Sequence, residues 1–153
     1  MSYLVTVDRA RLDVDRIHAM LRTVYWSKGI RRDVVERALA NSVVAMAVEE
    51  SSGRIVGVSR VVTDCATFAW LCDVFVEPEH RGRGLAERMI RLLESQPGLE
   101  TLRRWCLVTR DAHGLYSKLG YELVDPGKWM QKGLPPSGWR EAASDGDGAS
   151  GSA

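Results

Sequence analysis

The chain has 153 residues, of which 45% are hydrophobic and 27% charged, and its formal net charge at pH 7 is +1. That length fits one domain with a proper core, and that balance argues against wholesale disorder. A near-neutral chain without a Lys/Arg run gives nucleic acid no electrostatic footing, and no apolar run reaches the length of a membrane span.

Residues 3–7 alternate and predict a short first strand. A helix is expected over 14–24, with Ile17, Met20, Leu21 and Val24 on one face, Asp13 and Asp15 available to cap it, and Gly29 as terminator. A second helix over 32–41 turns Val34, Val35, Ala38 and Leu39 inward. Strands over 43–49 and 54–63, joined at Ser51-Ser52-Gly53, read as a β-hairpin, and residues 68–76 make the next strand after a turn at 64–67. Pro78 stops that strand because it has no N–H to donate. A helix then runs from Gly84 to about Ser95 with Leu85, Met89, Leu92 and Leu93 as its buried stripe. Residues 104–109 form a strand, Asp111 caps a short helix ending at Gly120, and 121–124 with 129–132 form a terminal hairpin. Residues 1–139 are thus expected as one domain, followed by a disordered Ala/Ser/Asp/Gly-rich tail over 140–153.

Cys65, Cys72 and Cys106 lie in apolar runs and are expected as reduced core residues. His18, His80 and His113 are scattered, and no His or Cys pair has metal-ligand spacing, so no metal is expected. The start MSYLVTVDRA lacks the pattern of a secretory signal, which points to the cytoplasm.

The strongest local signal is Arg81-Gly82-Arg83-Gly84-Leu85-Ala86, between a Pro-stopped strand and a helix. Unpaired first-turn amides and the helix dipole make an anion site there, Gly82 and Gly84 let the backbone approach a phosphate, and Arg81 and Arg83 add fixed charge. The alternative is a surface turn with solvated arginines. Leu85 follows Gly84 where a nucleotide-hydrolysing P-loop needs Lys, and the glycine spacing fails the dinucleotide fingerprint.

Arg81-x-x-Gly84-x-Ala86 after Val76-x-Pro78 resembles the acetyl-CoA motif of the GNAT (N-acetyltransferase) superfamily. The string Ala112-His113-Gly114-Leu115-Tyr116-Ser117-Lys118-Leu119-Gly120-Tyr121 resembles the second motif of that superfamily, and the resemblance covers residues 43–132. It implies an α/β (α+β, three-layer) fold with a mixed, mostly antiparallel sheet of about six to seven strands, in which strands 68–76 and 104–109 splay apart. It implies acetyl-CoA as cosubstrate, with the pantetheine arm added beside Phe75 and Val76 and the phosphates on Arg81 to Ala86. Thr109, Ala112 and His113 are the further cofactor contacts on this reading. His113, three residues before Tyr116, either binds phosphate, relays a proton, or is simply solvated. Many relatives dimerise, although no segment here marks a dimer face.

The chemistry sets its own demands. A lysine-like amine is only roughly 0.04% neutral at pH 7, a cost of about 4.6 kcal/mol, so a base for its proton is sought. Asp73 and Asp64 are the candidates. Asp73 is alternatively a buried carboxylate satisfied by Arg60, and Asp64 a plain turn residue. Tyr116 stands where family members place a general acid for the leaving thiolate; otherwise it hydrogen-bonds the sulfur or packs on the cofactor. Tyr25 and Trp26 either line the acceptor pocket or belong to the core. The expected activity is N-acetylation of a small-molecule primary amine, the alternatives being acetylation of a protein N-terminus or lysine, or a non-catalytic acyl-CoA-binding module.

Overall fold

A computed structural model describes residues 1–133, 135 and 138–142 of the chain. Five strands form one sheet in the order β1 (Tyr3–Thr6), β2 (Val43–Glu49), β3 (Arg54–Thr63), β4 (Phe68–Val76) and β5 (Arg104–Cys106). Neighbours run antiparallel except β4 and β5, which are parallel. Helices α1 (Val14–Leu21) and α2 (Arg32–Ala40) cover one face, and α3 (Leu85–Glu94) and α4 (His113–Lys118) lie on the other.

The two faces follow from strand alternation. Val44, Met46, Val48 and Val58 meet Ile17, Leu21, Val35 and Leu39, while Ala45, Ala47, Val61 and Leu71 meet Leu85, Met89, Ile90 and Leu93. Both sides of the sheet are therefore covered, giving the three layers.

β5 pairs with β4 only from Phe68↔Arg104 to Trp70↔Cys106. Beyond Trp70, β4 runs on to Val76 without a strand neighbour on that side among the described residues, so the two strands splay. The other edge of β4 carries a bulge: Val58 pairs Phe75 and Arg60 pairs Cys72, so Ser59 faces both Asp73 and Val74. Asp73 takes a left-handed φ of 53° to make it.

Several expected elements are shorter or missing. The sheet has five strands among the described residues, not six to seven. The terminal hairpin over 121–124 and 129–132 does not form; Pro126–Lys128 makes a 3-10 turn, and Leu123, Val124 and Met130 are 86%, 65% and 94% exposed. Four-residue strands with their apolar side chains in solvent have nothing to hold them together. Helix α1 stops at Leu21, where Arg22 caps it, and Gly29 closes the following loop instead by donating to Arg22 O at 3.0 Å. Asp13 caps α1 as expected, accepting from Arg16 N at 2.9 Å. Asp111 does not cap α4: Ala112 is the N-cap, and its amide is taken by Thr109 Oγ1 at 3.0 Å. At the head of the expected tail, Arg140 and Glu141 bond to the loop around Gly29, and 143–153 lie outside the described residues.

Candidate active site

At the splay lies a cleft of about 570 Å³. Its walls come from four places: the end of β4 (Val74, Phe75, Val76), the turn into α3 (Arg81, Gly82, Gly84 to Ala86), the loop after α1 (Val24, Tyr25, Trp26), and the segment leading into α4 (Arg110 to Ala112, with Leu115 and Tyr116).

The turn into α3 has the geometry of an anion site. Gly84 is the N-cap with φ 70°, and Gly82 has φ 71°. A Cβ at either position would meet no protein atom, so within the protein these glycines serve the left-handed backbone. The first intrahelical bond runs from Arg88 N to Gly84 O at 3.0 Å, which leaves the amides of Leu85, Ala86 and Glu87 without an intrahelical acceptor. Arg81 folds back onto the strand end, its Nε donating to Val76 O at 2.9 Å and its guanidinium 5.8 Å from the Phe75 ring centroid. Arg83 points elsewhere; it lies over the ring of Tyr3 at 5.9 Å and does not line the cleft.

His80 was not legible as a site residue. It is buried beside the turn, and its Nδ1 shares a 2.9 Å hydrogen bond with Tyr3 Oη on β1. Arg88 Nη2 donates to Tyr3 O at 3.0 Å, so the first strand ties down both the turn and its helix. Val24, Val74, Glu87, Arg110, Asp111 and Leu115 are further lining residues to which the sequence assigns no site role. Their placement depends on contacts between distant segments, for which spacing offers no signal.

Tyr116 is buried at the inner end of the cleft. Burial, with Tyr25 and Asp111 nearby, pushes its phenol up to about 12, so it stays protonated at neutral pH. It also borders a second cleft of about 380 Å³, lined by Thr109, His113 and residues of β5 and the C-terminal segment. Thr109 and His113 thus face this neighbouring cleft and not the main one.

The two aspartates separate. Asp73 accepts from Trp26 Nε1 at 3.1 Å through Oδ1 and from Arg60 Nε at 2.6 Å through Oδ2. Like Asp73, Asp64 is outside the cleft lining. It organises the turn before β4, with Oδ1 accepting from the amides of Ala66, Thr67 and Phe68 and Oδ2 from Thr67 Oγ1. Those donors, above all Thr67, hold its carboxyl well below the usual carboxylate range. The cysteines also divide: Cys65 is exposed, contrary to the expected core position, because it sits in this turn with φ 59°, while Cys72 and Cys106 are half-buried.

Residues 40–123 match the acetyltransferase (GNAT) domain family. The chain belongs to the GNAT acetyltransferase family. It is 33% identical to a Gibberella zeae protein named "putative acetyltransferase", the alignment covering 76% of this chain and 77% of that one. Its fold matches a crystal structure of a GNAT-family protein from Xanthomonas campestris pv. campestris at TM-score 0.82 and 39% identity, over 88% of this chain and 95% of that one. A Clostridium acetobutylicum protein described as a "predicted acetyltransferase", solved with acetyl-CoA, shares the fold at TM-score 0.64 and 18% identity, over 87% and 96% of the two chains. GNAT enzymes use acetyl-CoA, and among the described residues no cluster of His, Cys, Asp and Glu is placed to hold a metal. No described helix is long and apolar enough to cross a membrane.

Proposed function

We propose that this GNAT chain moves the acetyl group of acetyl-CoA to the primary amine of a small molecule by direct attack within a ternary complex. The observation that carries the reading is the convergence, on one cleft, of the α3 turn, the unpaired edge of β4 and Tyr116. The cleft volume is in the range of small-ligand sites.

Acetyl-CoA supplies an activated acyl carbonyl and a thiolate leaving group. The amides of Leu85 and Ala86, with Gly82 and Gly84 admitting close approach, fit a pyrophosphate. The edge of β4 that has no β5 partner beyond Trp70 fits an extended amide chain lying beside Phe75 and Val76, as in strand addition. Tyr25 and Trp26, exposed on the opposite wall, receive the acceptor. Asp73 is bound to Trp26 and Arg60 and does not line the cleft, so the ammonium proton leaves through water. As the amine nitrogen bonds to the carbonyl carbon and the C–S bond breaks, the Tyr116 hydroxyl donates its hydrogen to the sulfur, and the second proton shed by the nitrogen returns to the tyrosine through water.

The test has two stages. Acetyl-CoA at a hundredfold over its Kd should stabilise the protein by about 2.7 kcal/mol, and no stabilisation would remove the cofactor assignment. Thiol release is then followed with a panel of small amines and of peptides with free N-termini or lysines. Turnover of the peptides alone would overturn the small-molecule assignment, and release with none of them would favour an acyl-CoA-binding module.

A further inference from the structure

Residues 22–31 bring Tyr25 and Trp26 to the cleft, yet the loop has no helix or strand of its own. Its conformation has to be imposed from outside, and two sets of contacts do so. From the sheet, Asp73 Oδ1 holds the Trp26 indole N–H, while Asp73 Oδ2 takes Arg60 Nε, and Arg60 Nη1 donates to Ser42 Oγ at 3.0 Å. Trp26 in turn meets Tyr25 edge to face, with ring centroids 5.0 Å apart.

The second set comes from the C-terminal segment. Arg31 N donates to Trp139 O at 2.8 Å, Glu141 N donates to Gly29 O at 2.7 Å, and Ile30 and Arg140 form an antiparallel bridge between them. The Glu141 carboxylate pairs with Arg22 at 2.9 Å and lies 3.9 Å from His18 Nε2, which itself shares a 2.9 Å hydrogen bond with Ile30 O. The loop is therefore held at Trp26 by the β4 bulge and at both ends by Trp139, Arg140 and Glu141.

We propose that Asp73 and the Trp139-Arg140-Glu141 strap are positioning elements for the acceptor: they fix the 22–31 loop so that Tyr25 and Trp26 form one rigid wall, without themselves touching the reacting atoms. The inference rests on the acetyltransferase reading and gives Asp73 a role other than base. Asp73 is not among the residues that line the cleft, and each of its oxygens is turned to a neighbour, one to the Trp26 indole N–H and the other to the Arg60 guanidinium. Its left-handed φ suits Asp and Asn, so Asp73→Asn preserves the bulge and an oxygen for Trp26 while losing the charge opposite Arg60. Releasing either hold lets the loop sample other conformers, and apparent acceptor affinity falls by the fraction of molecules that leave the bound form.

The experiment compares the full chain with Asp73→Asn, Asp73→Ala, a chain ended after Gly138 and a control chain ended after Ala142. Acetyl-CoA Kd, kcat and KM for the best amine of the panel, the pH profile of kcat/KM, and hydrogen exchange over residues 22–31 are measured. Ending the chain after Gly138 should raise KM by about tenfold, leave kcat and acetyl-CoA Kd within about threefold, and speed exchange of the loop. The control should match the full chain. Asp73→Ala should raise KM similarly and Asp73→Asn less, with the acid limb of the pH profile unmoved. A large loss of kcat in Asp73→Asn together with loss of that limb would make Asp73 the base. Unchanged exchange in the chain ended after Gly138 would remove the strap, and that readout needs no amine. Failure of the unaltered protein to bind acetyl-CoA would instead sink the acetyltransferase reading.

Discussion

Arg110 lays its guanidinium 3.7 Å from the ring centroid of Tyr25, joining the segment ahead of α4 to the loop after α1 across the mouth of the cleft. The arginine is well exposed, so the contact contributes about 0.5–1 kcal/mol. Arg110→Ala should lower the unfolding free energy from urea titrations by that modest amount and raise the amine KM more than the acetyl-CoA Kd. Equal effects on both ligands would mean that Arg110 belongs to the cofactor end.

Tyr116→Phe keeps the ring and removes the hydroxyl. Turnover should fall by about 10²-fold with acetyl-CoA affinity nearly unchanged, as stopped-flow thiol release and calorimetry would record. Full activity would leave Tyr116 a packing residue.

The same residue has an alkaline signature. Its phenol rises to about 12 in the fold from an ordinary value near 10. Below pH 10 both folded and unfolded chains hold the proton; between about 10 and 12 only the folded chain does. Stability attributable to Tyr116 should therefore decline through that window by up to about 1.4 kcal/mol per pH unit and be level outside it. Burial raises Cys72 and Tyr121 as well, so the measured quantity is the difference between the unaltered protein and Tyr116→Phe in urea unfolding at stepped pH.

Gly84→Ala should cost about 1–2 kcal/mol, because the added Cβ meets no neighbour but the left-handed backbone disfavours it. Gly53, with φ 69° in the β2–β3 turn and equally open surroundings, is the matched control. Both substitutions should lower stability alike in urea titrations, and only Gly84→Ala should weaken acetyl-CoA binding. Equal acetyl-CoA affinity in the two variants would show that the turn into α3 does not carry the phosphates.

Alkylation should separate the cysteines. Cys65 is exposed, whereas burial pushes the Cys72 thiol up to about 12 and leaves it almost wholly protonated at pH 7. Iodoacetamide followed by peptide mass mapping should label Cys65 first, and early labelling of Cys72 would contradict its buried placement.

Periodicity and local chemistry located most of the fold. The strands of β2, β3 and β4, Leu85, Met89 and Leu93 of the α3 stripe and the Gly82/Gly84 turn all follow from residues close together in the chain, where alternation, Pro78 and helix-start glycine act directly, whereas Ile90 is buried in place of the expected Leu92. The terminal hairpin failed for the opposite reason: alternation at 121–124 and 129–132 marks a tendency, and a strand exists only if a neighbour and a core accept it. Likewise Asp111 had the right residue type for a cap, but Thr109 reached the Ala112 amide first.

The chain by itself determined the turn from Arg81 to Ala86 and the presence of Tyr116 in the later motif, because a helix start and a glycine's φ are set by a few neighbouring residues. Only the tertiary structure decided what Asp73, His80 and Tyr25 do. Asp73 meets Trp26 across 47 positions, His80 meets Tyr3 across 77, and Tyr25 receives Arg110 from beyond β5. Such pairs form when the sheet and its covering helices close around one cleft, and the hydrogen bonds and charges that define them do not exist before that closure.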